Sequence, residues 1–398
     1  MRTIKPEVIE HVRVCGNQNT YCAHPITAGE IFNFGNGEIA CMHWHSECDY
    51  SSEESVRHGQ LSVHGKAKVM LDRSFDGGRT WRDEDKSVVF DYGLPVQQRR
   101  EILSNIMTES NTPPLTDNTI FHFDKSYSGE EIGGGRYAQV PFALRSEDKG
   151  HTWSREVAKP TNIGYTLLQN GFGIIRQGQD LYKPFMVDPW STGDTDYGVV
   201  CSHYSVLYKS DNAGVDWYYV SDIARDPLRD HTCSYCSVVD LGNRHFLAVL
   251  GCWRIGDSWT RWINTCHSYD NGLNWTPSLR IQNPGVSPYP LVLRDGRIVV
   301  IFARRWPTSK RGIYGIVSGD EGKTWSDVFV LRCGDASSWD IGYPVATQLE
   351  NGEIFTAYYY TVDDGRPHGG PLKEDIGEKF QFLPECGKRH VAGTIFRI

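Results

Sequence analysis

The chain has 398 residues and a net charge of −8, from 41 Lys and Arg against 49 Asp and Glu. That balance gives no electrostatic footprint for nucleic acid or an anionic membrane surface, and no run of about 18 apolar residues offers a transmembrane helix. An apolar fraction of 39% excludes wholesale disorder, and forty Gly, twelve Trp and twenty Tyr against five Met favour tight turns and aromatic packing, the profile of an all-β chain.

The first residues, Met1 to His11, contain no apolar core of roughly 7–15 residues and no small-residue cleavage site. The expectation is a cytoplasmic protein, or a secreted one if a leader has been removed. Eleven Cys, an odd number spread over the chain, point to reduced, buried thiols. Cys233 and Cys236 form a lone C-x-x-C with no second pair at metal spacing, and are read as structural.

Residues 8–15, Val-Ile-Glu-His-Val-Arg-Val-Cys, read as a strand. Beyond them the chain repeats. Apolar strands joined by a Gly-bearing polar turn run through Ile31–Ile39, Ser237–Leu247, Leu291–Val299 and Ala346–Phe355. They read as inner hairpins of sheets packed on both faces. Downstream of such runs an octapeptide recurs five times: Ser74 to Trp81, Ser146 to Trp153, Ser210 to Trp217, Ser268 to Trp275 and Ser318 to Trp325. Its Asp or Asn can bond backbone N–H groups of its own turn, its Gly supplies positive φ, and its Trp is an apolar anchor with one N–H to satisfy. The starts lie 72, 64, 58 and 50 residues apart, about one antiparallel sheet each. Units beginning near residues 24, 104, 164, 233, 286 and 341 predict one domain over 1–398. It is a six-bladed β-propeller of four-stranded antiparallel blades, with residues 8–15 closing the ring. The long irregular stretch 82–137 leaves a seventh blade as the alternative.

In a propeller the pocket is lined from the entrances of inner strands and the loops leaving second strands. Six of the fourteen His fall in the first 64 residues: His11, His24, His43, His45, His58 and His64. His43 and His45 share one face of a strand by period two, His24 begins the neighbouring strand, and His58 and His64 flank a long loop. Two chemistries compete for these imidazoles, general acid–base work and a divalent cation, which needs ring nitrogens about 3–4 Å apart. Glu47, Asp49, Glu109, Asp188 and Asp340 are the carboxylates of the same rim, Asp340 with a turn cap as its alternative role. Arg254, Arg304 and Arg305 leave second strands in adjacent units and suit a carboxylate or sulfate on a sugar. Trp190, Trp253, Trp306 and Trp339 lie in similar loops.

The octapeptides resemble the Asp-box, or BNR, repeat, and the chain from about residue 24 onward resembles the sialidase-like propeller superfamily. The resemblance implies that the boxes lie on the outer rim, away from the pocket. It also bears on three site segments. Where sialidases carry an Arg-Ile-Pro motif this chain has Cys22-Ala23-His24-Pro25-Ile26, with His in place of Arg, and no second or third clamp arginine is evident. Gly342-Tyr343-Pro344-Val345 is similar to the segment bearing the sialidase Tyr. Asp49 stands in the loop of the sialidase acid/base Asp.

The expected function is an exo-acting glycoside hydrolase on an acidic or deoxy sugar of a small oligosaccharide. Its catalytic candidates are His24, His43, His45, Asp49 and Tyr343, and its substrate-binding candidates His58, His64, Arg254, Arg304, Arg305 and Asp340. One alternative is a lyase that breaks a uronate linkage with His, Tyr and Arg as base, acid and cation; another is a non-catalytic glycan-binding propeller. The expected partner is a small saccharide, with neither nucleic acid nor membrane. No cofactor is required, a divalent metal at the first-unit histidines being the second reading there.

Overall fold

A computed structural model describes residues 3–16, 20–23, 30–47, 67–133, 136–161, 167–188, 203–255, 257–337, 339–362 and 388–398. Five antiparallel sheets are complete blades, each with a four-stranded path. Blade I holds β2 (Thr20–Ala23), β3 (Ile31–Gly35), β4 (Glu38–Glu47), β5 (Lys68–Ser74) and β6 (Ser87–Asp91). Its innermost strand is in two pieces, since β2 and β3 pair with opposite ends of β4. After a ribbon of β7 (Ile120–Gly133) and β8 (Arg136–Ser146), blade II holds β9 (Leu167–Asn170), β10 (Ile175–Gln177), β11 (Asp180–Asp188), β12 (Tyr204–Ser210) and β13 (Tyr218–Ala224).

Blade III is β14 (His231–Asp240), β15 (Phe246–Arg254), β16 (Asp257–Ser268) and β17 (Leu279–Gln282). Blade IV is β18 (Val286–Val292), β19 (Ile298–Arg304), β20 (Gly312–Ser318) and β21 (Phe329–Cys333). Blade V is β22 (Gly342–Gln348), β23 (Ile354–Val362) and β24 (Lys388–Arg397), completed by β1 (Glu7–Cys15) from the start of the chain. Pairing of β1 with β24 runs from Glu7 opposite Arg397 to Cys15 opposite Val391. The first strand therefore supplies the fourth strand of blade V, and Cys15 ends beside blade I.

The blade count departs from the predicted six. Among the described residues, the unit expected to begin near residue 104 supplies the two-stranded ribbon and no four-stranded sheet. Its would-be inner strand is replaced by the helix α1 (Val96–Ser104), a short turn at Glu109–Asn111 and the Pro113-Pro114 pair. Proline cannot donate to a ladder. The ribbon's outer side is held by isolated bridges, Ala143 to Ala158 and Ile106 to Val157. It still packs on both sides, Ile120 near the Leu71 side of Gly150 and Phe123 edge-on to Trp217 of blade II.

The boxes behave as their chemistry demands. In the Ser318 box, Gly322 N–H donates to Ser318 Oγ at 2.8 Å and Thr324 N–H to Asp320 Oδ1 at 2.8 Å. Thr324 Oγ1 donates to Asp320 Oδ2 at 2.6 Å. In the first box Trp81 Nε1–H donates to Gly78 O at 2.8 Å. Four boxes join the third and fourth strands of a blade, and the Ser146 box leaves β8. Burial draws their carboxyls up, yet the bonds from Thr and Ser outweigh it and hold Asp76 and Asp148 below the usual range. Apolar residues of β15, β19 and β23 are almost wholly buried between blades, which is why these strands read as continuous hydrophobic runs. No helix among the described residues is long and apolar enough to cross a membrane.

Candidate active site

Three successive inner strands carry the same irregularity near their starts. β14, β18 and β22 each break register with their partner, between Ser234 and Ser237, Val286 and Tyr289, and Gly342 and Val345. In each bulge one non-glycine residue takes the left-handed conformation: Tyr235 at φ 46°, Ser287 at 48° and Tyr343 at 51°. Such a residue costs strain, and bulges re-aim side chains. Gly342 is required where it stands. Its φ is +128°, and a Cβ there would lie 2.8 Å from Ala303 Cβ.

The bulges bring two tyrosines together. Tyr343 O–H donates to Tyr235 Oη at 3.1 Å, with ring centroids 5.5 Å apart and edge-on. Phe172 of blade II stacks on Tyr235 at 6.2 Å, and Trp253 tilts against it at 5.5 Å. Two cations attend the pair. Arg305 lies 5.8 Å from the Tyr343 ring, and Arg261 lies 4.5 Å from the Trp253 ring and acts electrostatically on both hydroxyls.

These charges split the pair. Burial opposes ionisation of Tyr235, but Arg261, the Tyr343 hydroxyl, Arg305 and His203 outweigh it and draw its pKa down. Burial and the neighbouring Tyr235 push Tyr343 up. The two hydroxyls therefore act as one unit, whose first proton leaves below the ordinary tyrosine range.

Arg305 is itself positioned. Its Nε donates to Ile341 O at 3.0 Å and its Nη2 to Tyr359 Oη at 2.9 Å. Tyr359 O–H donates to Asp340 Oδ1, whose other oxygen accepts from Arg389 Nε at 2.8 Å. Asp340 and Arg389 are buried, and Arg305 sits 3.9 Å from the same carboxylate. Burial alone would weaken the Arg305 cation, but Tyr359, Asp340 and both tyrosines of the pair hold its pKa up.

The predicted site residues divide into four groups. Tyr343, Arg305 and Asp340 come together at the centre just described. Arg304, one residue earlier, turns the other way and stacks on Tyr314 at 4.6 Å, and Arg254 is exposed at the end of β15. His43 and His45 meet Cys15 and Cys22 where blade V adjoins blade I. Cys15 Sγ is 3.5 Å from His43 Nδ1, and Cys22 Sγ is 3.3 Å from His45 Nδ1. His43 is wholly buried, and its Nε2 stands 3.2 Å from Asp72 Oδ1. Desolvation opposes charging of His43, but Asp72 outweighs it and raises the pKa. His24, Asp49, His58 and His64 lie outside the described residues.

Sequence reasoning missed Tyr235, Arg261, Cys15 and Cys22. Tyr235 had a signal: it occupies the place in its unit that Tyr343 occupies in the last one. Arg261 had none, since it sits on the third strand of blade III and reaches inward from there. It joins the predicted Arg305 in a chain whose Arg-Ile-Pro segment carries His24 in place of Arg.

The described geometry matches solved structures over its full length. A protein of unknown function from Dyadobacter fermentans is 19% identical with a TM-score of 0.72, covering 99% of each chain. An α-L-arabinofuranosidase from Fusarium graminearum is 14% identical with a TM-score of 0.57, covering 98% of each. A Hadza microbial sialidase is 16% identical with a TM-score of 0.57, covering 86% of this chain and 63% of its own. At these identities the likeness is one of fold. No curated protein sequence matches. The repeat-like domain of BNR proteins matches residues 64–356. With its boxes formed and most of its length matched, this chain belongs to the BNR repeat-like family, on a sialidase-like β-propeller.

Proposed function

We propose that the protein is an exo-acting glycoside hydrolase that releases an acidic or deoxy sugar from a small oligosaccharide, with Tyr343 as nucleophile. The observation that carries this reading is the 3.1 Å contact of Tyr343 with Tyr235 beside two partly buried guanidiniums. A phenol attacks only as phenolate, and it needs a base and a stabilising charge to ionise near neutral pH. Tyr235, ionised first, accepts the proton of Tyr343 as the phenolate charge passes to the Tyr343 oxygen, and Arg261 and Arg305 favour the anion on either oxygen. The Tyr343 oxygen then bonds to the anomeric carbon as the glycosidic C–O bond breaks, and the leaving oxygen takes a proton from an acid, the role proposed for Asp49. Water cleaves the tyrosyl glycoside in the second step, so configuration is retained. The same guanidiniums suit a sugar carboxylate. Glycosidases on this fold, the sialidase and the arabinofuranosidase among them, support the class of chemistry.

One observation favours a second reading, a uronate lyase. The carboxylate beside the pair, Asp340, is engaged by Arg389 and Tyr359, whereas a tyrosine base, a histidine and arginines are all at hand. Elimination needs no carboxylate pair.

The test is turnover of acidic oligosaccharides by wild type and Tyr343→Phe, followed both as reducing ends and as ultraviolet absorbance of an unsaturated uronate. New reducing ends without absorbance, lost in the variant, support the hydrolase. Absorbance that rises with the reducing ends replaces it with the lyase. Full activity in Tyr343→Phe removes Tyr343 from either mechanism.

A further inference from the structure

The thiols and imidazoles between blades V and I have no part in the chemistry above. We propose that Cys15, Cys22, His43 and His45 form a tetrahedral zinc site that clasps the first strand, and with it blade V, to blade I. The four donor atoms lie within 4.8 Å of one another. Two of their edges, 3.5 Å from Cys15 Sγ to His43 Nδ1 and 3.3 Å from Cys22 Sγ to His45 Nδ1, match the ~3.5 Å sulfur–nitrogen edge of a tetrahedron with zinc at about 2.3 Å from sulfur and 2.0–2.1 Å from nitrogen. No edge exceeds 4.8 Å, against ~3.8 Å for the sulfur–sulfur edge and ~3.3 Å for the nitrogen–nitrogen edge of the same tetrahedron, so closing the site takes side-chain movements of about 1–1.5 Å.

Three further features fit a metal. Asp72, 1% exposed, faces Nε2 of His43 at 3.2 Å, and its other oxygen faces Lys86 Nζ at 3.5 Å. A carboxylate behind a ligating imidazole fixes the tautomer, placing the proton on Nε2 and leaving Nδ1 bare for the cation. That choice matters because Nδ1 also lies 3.1 Å from the Trp44 carbonyl, which would otherwise compete for a proton there. Charge balances as well: two thiolates and a dication sum to zero, and Asp72 with Lys86 sums to zero beside them, so the whole can be buried. Finally, the donors come from three strands. Cys15 ends β1, Cys22 is in β2, and His43 and His45 share a face of β4.

Soft thiolates with imidazoles in a tetrahedron select zinc among the common divalent ions. With all four positions taken by protein, no site remains for substrate or water, so the metal is structural. It adds a clasp to a ring closed by the β1–β24 ladder and by blade V to blade I contacts such as Arg79 with Glu353.

The experiment uses the full chain with reduced thiols. Elemental analysis after zinc reconstitution and desalting is expected to give one zinc per chain. Cobalt titration of the metal-free protein is expected to give the visible bands of a tetrahedral ion and a thiolate charge-transfer band. Cys22→Ser should roughly halve that band, and chelation should lower the melting temperature by a few degrees. Should Cys22→Ser not fold, Asp72→Asn keeps all four donors and should weaken cobalt affinity about 10–100-fold. Reduced protein that takes up neither zinc nor cobalt overturns the proposal. So does a Cys15–Cys22 disulfide mapped in freshly prepared protein, or cobalt spectra unchanged in Cys22→Ser and His45→Ala. None of these readouts depends on sugar cleavage.

Discussion

The tyrosine pair of blades III and V and the thiol–imidazole quartet between blades V and I are both polar clusters set in an apolar core, and they are arranged in opposite ways. Around the tyrosines, cations outnumber the nearby anions, and Tyr343 keeps 9% of its surface open. At the quartet, Cys15, Cys22 and His43 are buried and His45 is partly exposed, the four donor atoms lie within 4.8 Å of one another, and the Asp72 carboxylate faces both His43 and Lys86. A cluster with an unbalanced charge can exchange a proton and meet an anionic substrate. A balanced set of soft donors on three strands holds strands together. Buried polarity by itself says neither; the charge sum and the donor types decide.

The sharpest way to break that comparison is Tyr343→Phe. It should lower kcat by about a thousandfold or more while the melting temperature stays put, as expected for loss of an attacking group. Activity that survives would make the tyrosine cluster structural too. Next in size is Arg305→Met, expected to cost about 10–100-fold in kcat/KM, or ~1.4–2.7 kcal/mol. The sign of its pH effect follows from the charges. Arg261 and Arg305 draw the first proton of the pair off below the ordinary tyrosine range, so the rate climbs as pH passes that value. Removing one guanidinium raises the value, and the climbing limb of the profile should move to higher pH. A limb that stays in place would show that Arg305 does not tune the pair.

Cys22→Ser should show the reverse pattern, a melting temperature lower by a few degrees with turnover at low temperature kept. If turnover falls in step with Tyr343→Phe at a temperature where the variant is folded, the thiol–imidazole cluster is also chemical. The smallest effect is expected far from both clusters. Asp320→Ala removes the acceptor for Thr324 N–H and Oγ1 and should cost about 1–2 kcal/mol in urea unfolding. Bonds from Thr324 and Ser318 hold the Asp320 carboxyl below its unfolded value. Its contribution is therefore complete above the unfolded pKa of about 3.9 and is lost as pH falls through the lower folded one. The difference between wild type and Asp320→Ala should shrink on acidification, and a constant difference would assign the cost to something other than the charge.

Much of the fold was legible because its signals are local. Each box satisfies its own bonds within eight residues, so Ser, Asp, Gly and Trp at fixed offsets suffice to announce the turn wherever they stand. Tyr343 was found differently, through the likeness of Gly342-Tyr343-Pro344-Val345 to the sialidase segment that bears a Tyr. The site was less legible. Arg304 and Arg305 look alike in sequence, but alternation along the strand sends one to Tyr314 and the other to Tyr343. The second unit read as a blade from its box alone, while the strand that would complete it is interrupted by helix and proline.

By itself the sequence determined the all-β propeller, its turns, its closing first strand and the presence of a tyrosine at the last inner strand, because those depend on contacts a few residues apart or on one repeated pattern. Only the tertiary structure decided that the complete blades number five, that Tyr343 meets Tyr235 across 108 residues of chain, and that Cys15 and Cys22 join His43 and His45. Those meetings depend on the ring coming around on itself, which sets residues from separate blades face to face irrespective of their spacing in the chain.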